Sequence, residues 1–139
     1  MENCIFCKIV RGELPADVVY EDEFVIAFLD IAPINKGHIL VIPKEHHTGI
    51  GSVPEEVAGR MLRVASRLGI ASRRALDLEG FNLHLADATC AGQIVMHAHL
   101  HVVPRGAEDG FNWNWRQLQY ASAEEKQNIV NDIKNKLKL

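Results

Sequence analysis

Nowhere does this 139-residue sequence sustain an apolar run approaching the roughly 18 residues that a membrane span needs. The opening MENCIFCKIV also lacks the apolar core of a signal peptide. Both absences predict a cytosolic protein with no membrane partner. Excess charge of one sign is nearly missing too: the formal net charge of −3 offers no broad footprint for nucleic acid. No polynucleotide partner is expected, and nucleotides as small ligands stay open. Only 3 cysteines occur, and an odd count argues against a disulfide framework. There is no linker-like stretch, repeat or low-complexity tract, so residues 1–139 read as one domain, with a core over about 4–105 and a C-terminal extension over 106–139. The pattern GxxxxGK[ST] is absent, as is any paired acidic cluster for magnesium, which removes a P-loop and an acidic metal centre from consideration.

The periodicities that are present predict an α+β protein. Asn3 is placed to cap a short helix over about 4–10, with Ile5, Phe6 and Ile9 on one face. Two β-rich runs, 18–21 and 24–29, flank the polar turn Glu21-Asp22-Glu23, and a third strand covers 38–42 up to Pro43. Ser52-Val53-Pro54-Glu55 has the form of a capping box; from there Val57, Met61, Val64, Leu68, Ala71, Ala75 and Leu78 recur at threes and fours. That spacing predicts one long amphipathic helix closed by Gly80. Strands over 81–86 and 95–103 follow, joined by a turn-rich loop, the second ended by Pro104. A last helix begins at the box Ser122-Ala123-Glu124-Glu125. Hairpin-like strand order implies an antiparallel meander with the long helix across one face.

The chemistry concentrates in His97-Ala98-His99-Leu100-His101. Side chains alternate along a strand, so three imidazoles are expected in a row on one side. Two readings compete. A three-His zinc with an open position would activate water; alternatively, a neutral imidazole attacks phosphorus while its neighbours hold the tautomer and donate to phosphate oxygens. Composition does not separate them. Cys4-x-x-Cys7 has zinc-ligand spacing but supplies half of a tetrahedral set, and two buried reduced thiols are the alternative. His47 and His84 read as surface histidines, Cys90 as a thiol without chemistry, and Trp113 and Trp115 as packing residues, with a dimer interface or substrate mouth as the functional alternative.

The sequence resembles the histidine triad, or HIT, superfamily. The resemblance runs from Cys4-Ile5-Phe6-Cys7-Lys8-Ile9-Val10-Arg11-Gly12-Glu13-Leu14-Pro15, through Ala27-Phe28-Leu29-Asp30 and Gly37-His38-Ile39-Leu40-Val41-Ile42-Pro43-Lys44-Glu45-His46, to Ala91-Gly92-Gln93, the triad and Pro104-Arg105. It implies a HIT-like fold and a homodimer. It implies that His99 is a nucleophile that becomes nucleotidylated, that His101 and Gln93 contact the α-phosphate, that His38 supports the site and that the backbone around His97 orients His99. Asp30 would bind ribose hydroxyls; Phe6, Ile9, Phe28 and Ile31 would sandwich the base. Members with this CxxC are similar in holding structural zinc on the positions of Cys4, Cys7, His46 and His97, with no catalytic metal.

Two positions depart from the pattern. Where many phosphoramide-cleaving members carry Ser or Thr, this chain has Ile94, which can neither donate nor accept a hydrogen bond to a leaving group. Ala86 stands where many carry Asn. The expected activity is hydrolysis or nucleotidyl transfer on purine mononucleotide conjugates, dinucleoside polyphosphates or nucleoside phosphoramidates, through a covalent histidine intermediate. The alternatives are a nucleotide-binding regulatory module with little turnover and a zinc hydrolase that uses the triad as ligands.

Overall fold

A computed structural model describes residues 3–139. Helix α1 (Ile5–Val10) leads into strands β1 (Val18–Glu21), β2 (Val25–Leu29) and β3 (Ile39–Pro43). The long helix α2 (Glu55–Ala75) follows, then β4 (Gly80–Leu85), β5 (Leu100–Arg105) and helix α3 (Ala123–Lys136). All pairings are antiparallel, in the order β1-β2-β3-β5-β4. Meander order holds through β3; α2 then carries the chain to the far edge, and β5 returns between β3 and β4.

Burial of both sheet faces explains why β2 and β3 are apolar throughout. Val25, Ala27, Ile39, Val41, Leu100 and Val102 face Met61, Val64 and Ala65 of α2. Their alternates Ile26, Phe28, Leu40 and Ile42 form a second core with Phe6 of α1. On β5 the residue alternating with Leu100 and Val102 is His101, so the triad's strand residue belongs to the α1 side. Helix α2 rests closely on β4: a Cβ on Gly69 would lie 2.4 Å from the Phe81 ring.

Several local expectations are corrected. Cys4, not Asn3, caps α1, its sulfur accepting from the Cys7 amide at 3.5 Å. Ser52 does not cap α2: its hydroxyl donates to the Gly49 carbonyl at 2.9 Å, and the first helical residue is Glu55. The helix ends at Ala75 because Asp77 adopts φ 54°, which leaves Leu78 outside it and makes Gly80 the start of β4. Pro104 does not end its strand. The β3–β5 ladder stops at Val102, and the Pro104 carbonyl accepts from Asn35 at 2.9 Å, so no ladder donor is missed. The Ser122 box forms as expected, with the hydroxyl accepting from the Glu125 amide at 3.0 Å.

Candidate active site

The last strand begins at Leu100, not at 95, so only His101 of the triad lies in the ladder. His97 and His99 sit on an irregular lead-in, bent over residues 95–97, whose amides bond elsewhere: that of His97 reaches the Val95 carbonyl at 2.9 Å and that of Ala98 the His47 carbonyl at 2.6 Å. The single imidazole row is therefore replaced by three rings held by different partners. His97 is fully buried and donates from Nε2 to the Pro43 carbonyl at 2.8 Å. Its Nδ1 is left facing Cys4 Sγ at 3.5 Å and Cys7 Sγ at 3.6 Å, while His46 Nδ1 lies 3.2 Å from Cys7 Sγ. One donor atom from each of Cys4, Cys7, His46 and His97 falls within 4.8 Å of the others, a spacing that suits tetrahedral coordination. Burial holds the Cys7 thiol above its usual range, aided by the neighbouring Cys4; a bound cation would reverse that.

His99 does the opposite of His97. It donates from Nδ1 to the His97 carbonyl at 2.7 Å, which leaves the Nε2 lone pair free. Its ring packs edge-on against Phe6 at 5.4 Å and against His101 at 4.9 Å. A relay fixes the tautomer of His101. The Ile34 amide donates to His38 Nδ1 at 3.1 Å, so neutral His38 carries its proton on Nε2 and donates it to His101 Nδ1 at 2.9 Å. His101 then carries its own proton on Nε2. Burial, with Arg105 adding and Asp30 opposing, pushes His38 below the ordinary imidazole range. Burial, followed by the charges of His99, His38 and His84, pushes His101 down to about 4. Both rings are neutral near pH 7.

These tautomers speak against a zinc centre on the triad. His97 Nδ1 looks toward the cysteines, and Nδ1 of His99 and of His101 is already engaged, so the three rings share no focal point. Asp30, His38 and His101 also approach within 4.8 Å, but His38 Nε2 is committed to a proton by the amide on its Nδ1.

A cleft of about 550 Å³ opens beside His99 and His101. All five residues expected around a nucleoside line it: Phe6, Ile9, Phe28, Asp30 and Ile31. Phe6 and Phe28 meet edge-to-face at 5.7 Å, and Asp30 is tied by accepting from the Ala32 amide. Ile31 is 99% exposed and forms the rim. Gln93 is not where the sequence placed it. It is buried away from the cleft lining, its oxygen accepting from the Ala88 amide and its nitrogen donating to the carbonyls of Thr48 and Val95. With the amide so engaged, Gln93 ties together the loop that delivers the triad. Trp113 and Trp115 are likewise corrected: they are 46% and 73% exposed and stack on each other, not into a core. His84, read from the sequence as a surface histidine, is exposed as expected yet stands 5.7 Å from the His101 ring. Its alternation on β4 was visible; the register that brings it beside His101 was not.

A family model described as HIT domain matches residues 11–108. The chain belongs to the HIT family. This HIT protein is 41% identical to the protein hit of Bacillus subtilis (strain 168) over 98% of this chain and 95% of that one. It is 35% identical to the adenosine 5'-monophosphoramidase hnt1 of Schizosaccharomyces pombe over 98% and 99%. It is 36% identical to the adenylylsulfatase HINT3 of Arabidopsis thaliana over 77% of this chain and 54% of that one. Among solved structures, a HIT family protein from Bacillus anthracis superposes with TM-score 0.91 at 43% identity over 99% of each chain. A zinc-bound histidine triad family protein from Mycobacterium smegmatis does so with TM-score 0.77 at 35% identity over 96% and 97%.

Proposed function

We propose that this HIT protein cleaves a phosphorus linkage at the α-phosphate of purine mononucleotide conjugates through a covalent intermediate on His99. The observation that carries the proposal is the pairing of a free His99 Nε2 with a protonated His101 Nε2 at one end of an apolar cleft. The names of two relatives, an adenylylsulfatase and an adenosine 5'-monophosphoramidase, support an adenylyl group on the substrate.

In the first step the Nε2 lone pair attacks the α-phosphorus. The nitrogen–phosphorus bond forms, the bond to the leaving group breaks, and the leaving group departs with its electron pair. The imidazolium so formed keeps its Nδ1 proton on the His97 carbonyl, and the His101 Nε2–H donates to a phosphate oxygen as charge develops. In the second step water attacks phosphorus, the electron pair returns to Nε2, and the water proton passes to solvent. Asp30 accepts from the ribose, and Phe6, Ile9, Phe28 and Ile31 flank the base. His38 holds the His101 tautomer.

Zinc on Cys4, Cys7, His46 and His97 is part of the same proposal. The cation would join α1, the segment after β3 and the lead-in to β5, a structural role. A homodimer in the cytosol completes it, supported by the exposed Phe111, Trp113 and Trp115 and by α3, which buries none of its residues in this chain. The test is hydrolysis of adenylyl and guanylyl conjugates that share a nucleotide and differ in leaving group, with His99→Ala as control. Turnover by the parent and not by the variant is expected. Nucleotide binding without turnover of any conjugate would leave the regulatory-module reading instead.

A further inference from the structure

One row of residues crosses four strands on the cleft side of the sheet. Phe28 pairs with Leu40, Leu40 with His101, and His101 with His84. Adjacent strands lie about 4.8 Å apart, so the row runs from the base-side aromatic to the phosphate-side imidazole over roughly 10 Å and reaches His84 about 5 Å later. His84 occupies the edge strand, and its ring is exposed and tilted at 46° toward the ring of His101. The ring makes no hydrogen bond or ion pair within the described residues, so its N–H is available to a ligand. Alternation along β4 and β5 puts Asn82 and Arg105 on this same face, joined by an Arg105 Nε donation to Asn82 Oδ1 at 2.8 Å. No carboxylate of β4 or β5 lies on that stretch of the face, although Asp109, just beyond β5, accepts from the Arg105 guanidinium at 3.4 Å. His84 itself lies outside the cleft lining, one strand beyond His101, whereas Ile94 stands on the cleft rim, 90% exposed and without a polar group.

We propose that His84 is a leaving-group contact and that it selects substrates whose scissile bond joins the α-phosphate to an oxyanion, such as a further phosphate or a sulfate, over those that release an amine. This rests on the function proposed above: with the base over Phe28 and the α-phosphate at His101, the row continues onto His84. When His99 Nε2 attacks, the phosphorus–oxygen bond breaks and its electron pair stays on the leaving oxygen. The oxyanion needs no proton to depart, and a hydrogen bond from the His84 N–H stabilises it. An amine leaving group needs a proton instead, and Ile94 offers none.

The test measures kcat/KM for adenosine 5'-phosphosulfate and for adenosine 5'-phosphoramidate, which share the adenylyl group, in the parent, His84→Ala and His84→Gln. We expect the alanine variant to lose about tenfold or more on the phosphosulfate and less than about threefold on the phosphoramidate, with glutamine restoring part of the difference through its own N–H. An equal loss on both substrates would mean a structural role and overturn the proposal; so would no loss on either. If the parent turns over neither, the catalytic reading fails, and His84 is judged by binding alone. A parent preference for ADP over AMP that shrinks in His84→Ala then supports the contact, and an unchanged ratio removes it.

Discussion

His97 and His99 are separated by one residue and leave opposite ring nitrogens free. His97 donates from Nε2 to Pro43 and turns Nδ1 toward two thiols; His99 donates from Nδ1 to the His97 carbonyl and turns Nε2 toward the cleft. The carbonyl that each ring finds selects the tautomer, and the tautomer selects between a metal-ligand geometry and a nucleophile geometry. One main-chain segment thus faces the thiol–imidazole cluster at one end and the cleft at the other, and perturbing one end should leave the other recognisable.

The sharpest separation comes from single substitutions at the two ends. His99→Ala should lower turnover by about 10³-fold or more, as expected for loss of a covalent nucleophile, with the fold and nucleotide binding retained. Steady-state rates beside a binding isotherm check this. Cys7→Ala, or removal of metal by a chelator, should do the reverse. Stoichiometric zinc by elemental analysis should disappear, and stability should fall by about 3 kcal/mol or more while the folded fraction keeps most of its rate. A chelated preparation that melts like the untreated one would remove the structural metal.

Acid should distinguish the relay from an ordinary surface histidine. His101 is pushed down to about 4 and His38 is also lowered, whereas an unfolded histidine titrates near 6.5. Between those values the unfolded chain binds protons that the folded chain refuses. Stability is therefore greatest above about pH 6.5 and declines as pH falls toward 4. His101→Gln should flatten that slope in denaturant titrations across the range; an unchanged slope would mean that the relay is not the source.

Smaller effects are expected in the loop between the two ends. Gln93→Ala strands the Ala88 amide and the carbonyls of Thr48 and Val95, and should cost about 2 kcal/mol. Ala88 adopts φ 75°, where a Cβ is strained, so Ala88→Gly should raise stability by about 0.5–1 kcal/mol. Thermal melts of both variants check the signs.

The antiparallel sheet, the long helix and the cleft residues were legible because each rests on local periodicity or on a contiguous family motif. What the sequence did not carry was set by distant partners. The choice of nitrogen on His97 depends on the Pro43 carbonyl, 54 positions away, and that on His101 depends on His38, 63 positions away. Ser52 had the right neighbours for a cap, but its hydroxyl found the Gly49 carbonyl first. Gln93 carried the expected motif, but its three main-chain partners, at Thr48, Ala88 and Val95, could not be read from it. The strand predicted over 95–103 begins only at Leu100, because the alternation of histidines does not reveal the bend over residues 95–97 that precedes it.

The claim that His99 Nε2 is the nucleophile is tested most directly by rapid quenching during turnover of an adenylyl conjugate, followed by peptide mass mapping under mildly alkaline conditions. We expect one nucleoside monophosphate on the peptide that contains His99, with the label absent from His99→Ala and still on His99 in a slowed His101→Ala. An adduct mapped to His97 or His101, or turnover that persists in His99→Ala, would contradict it.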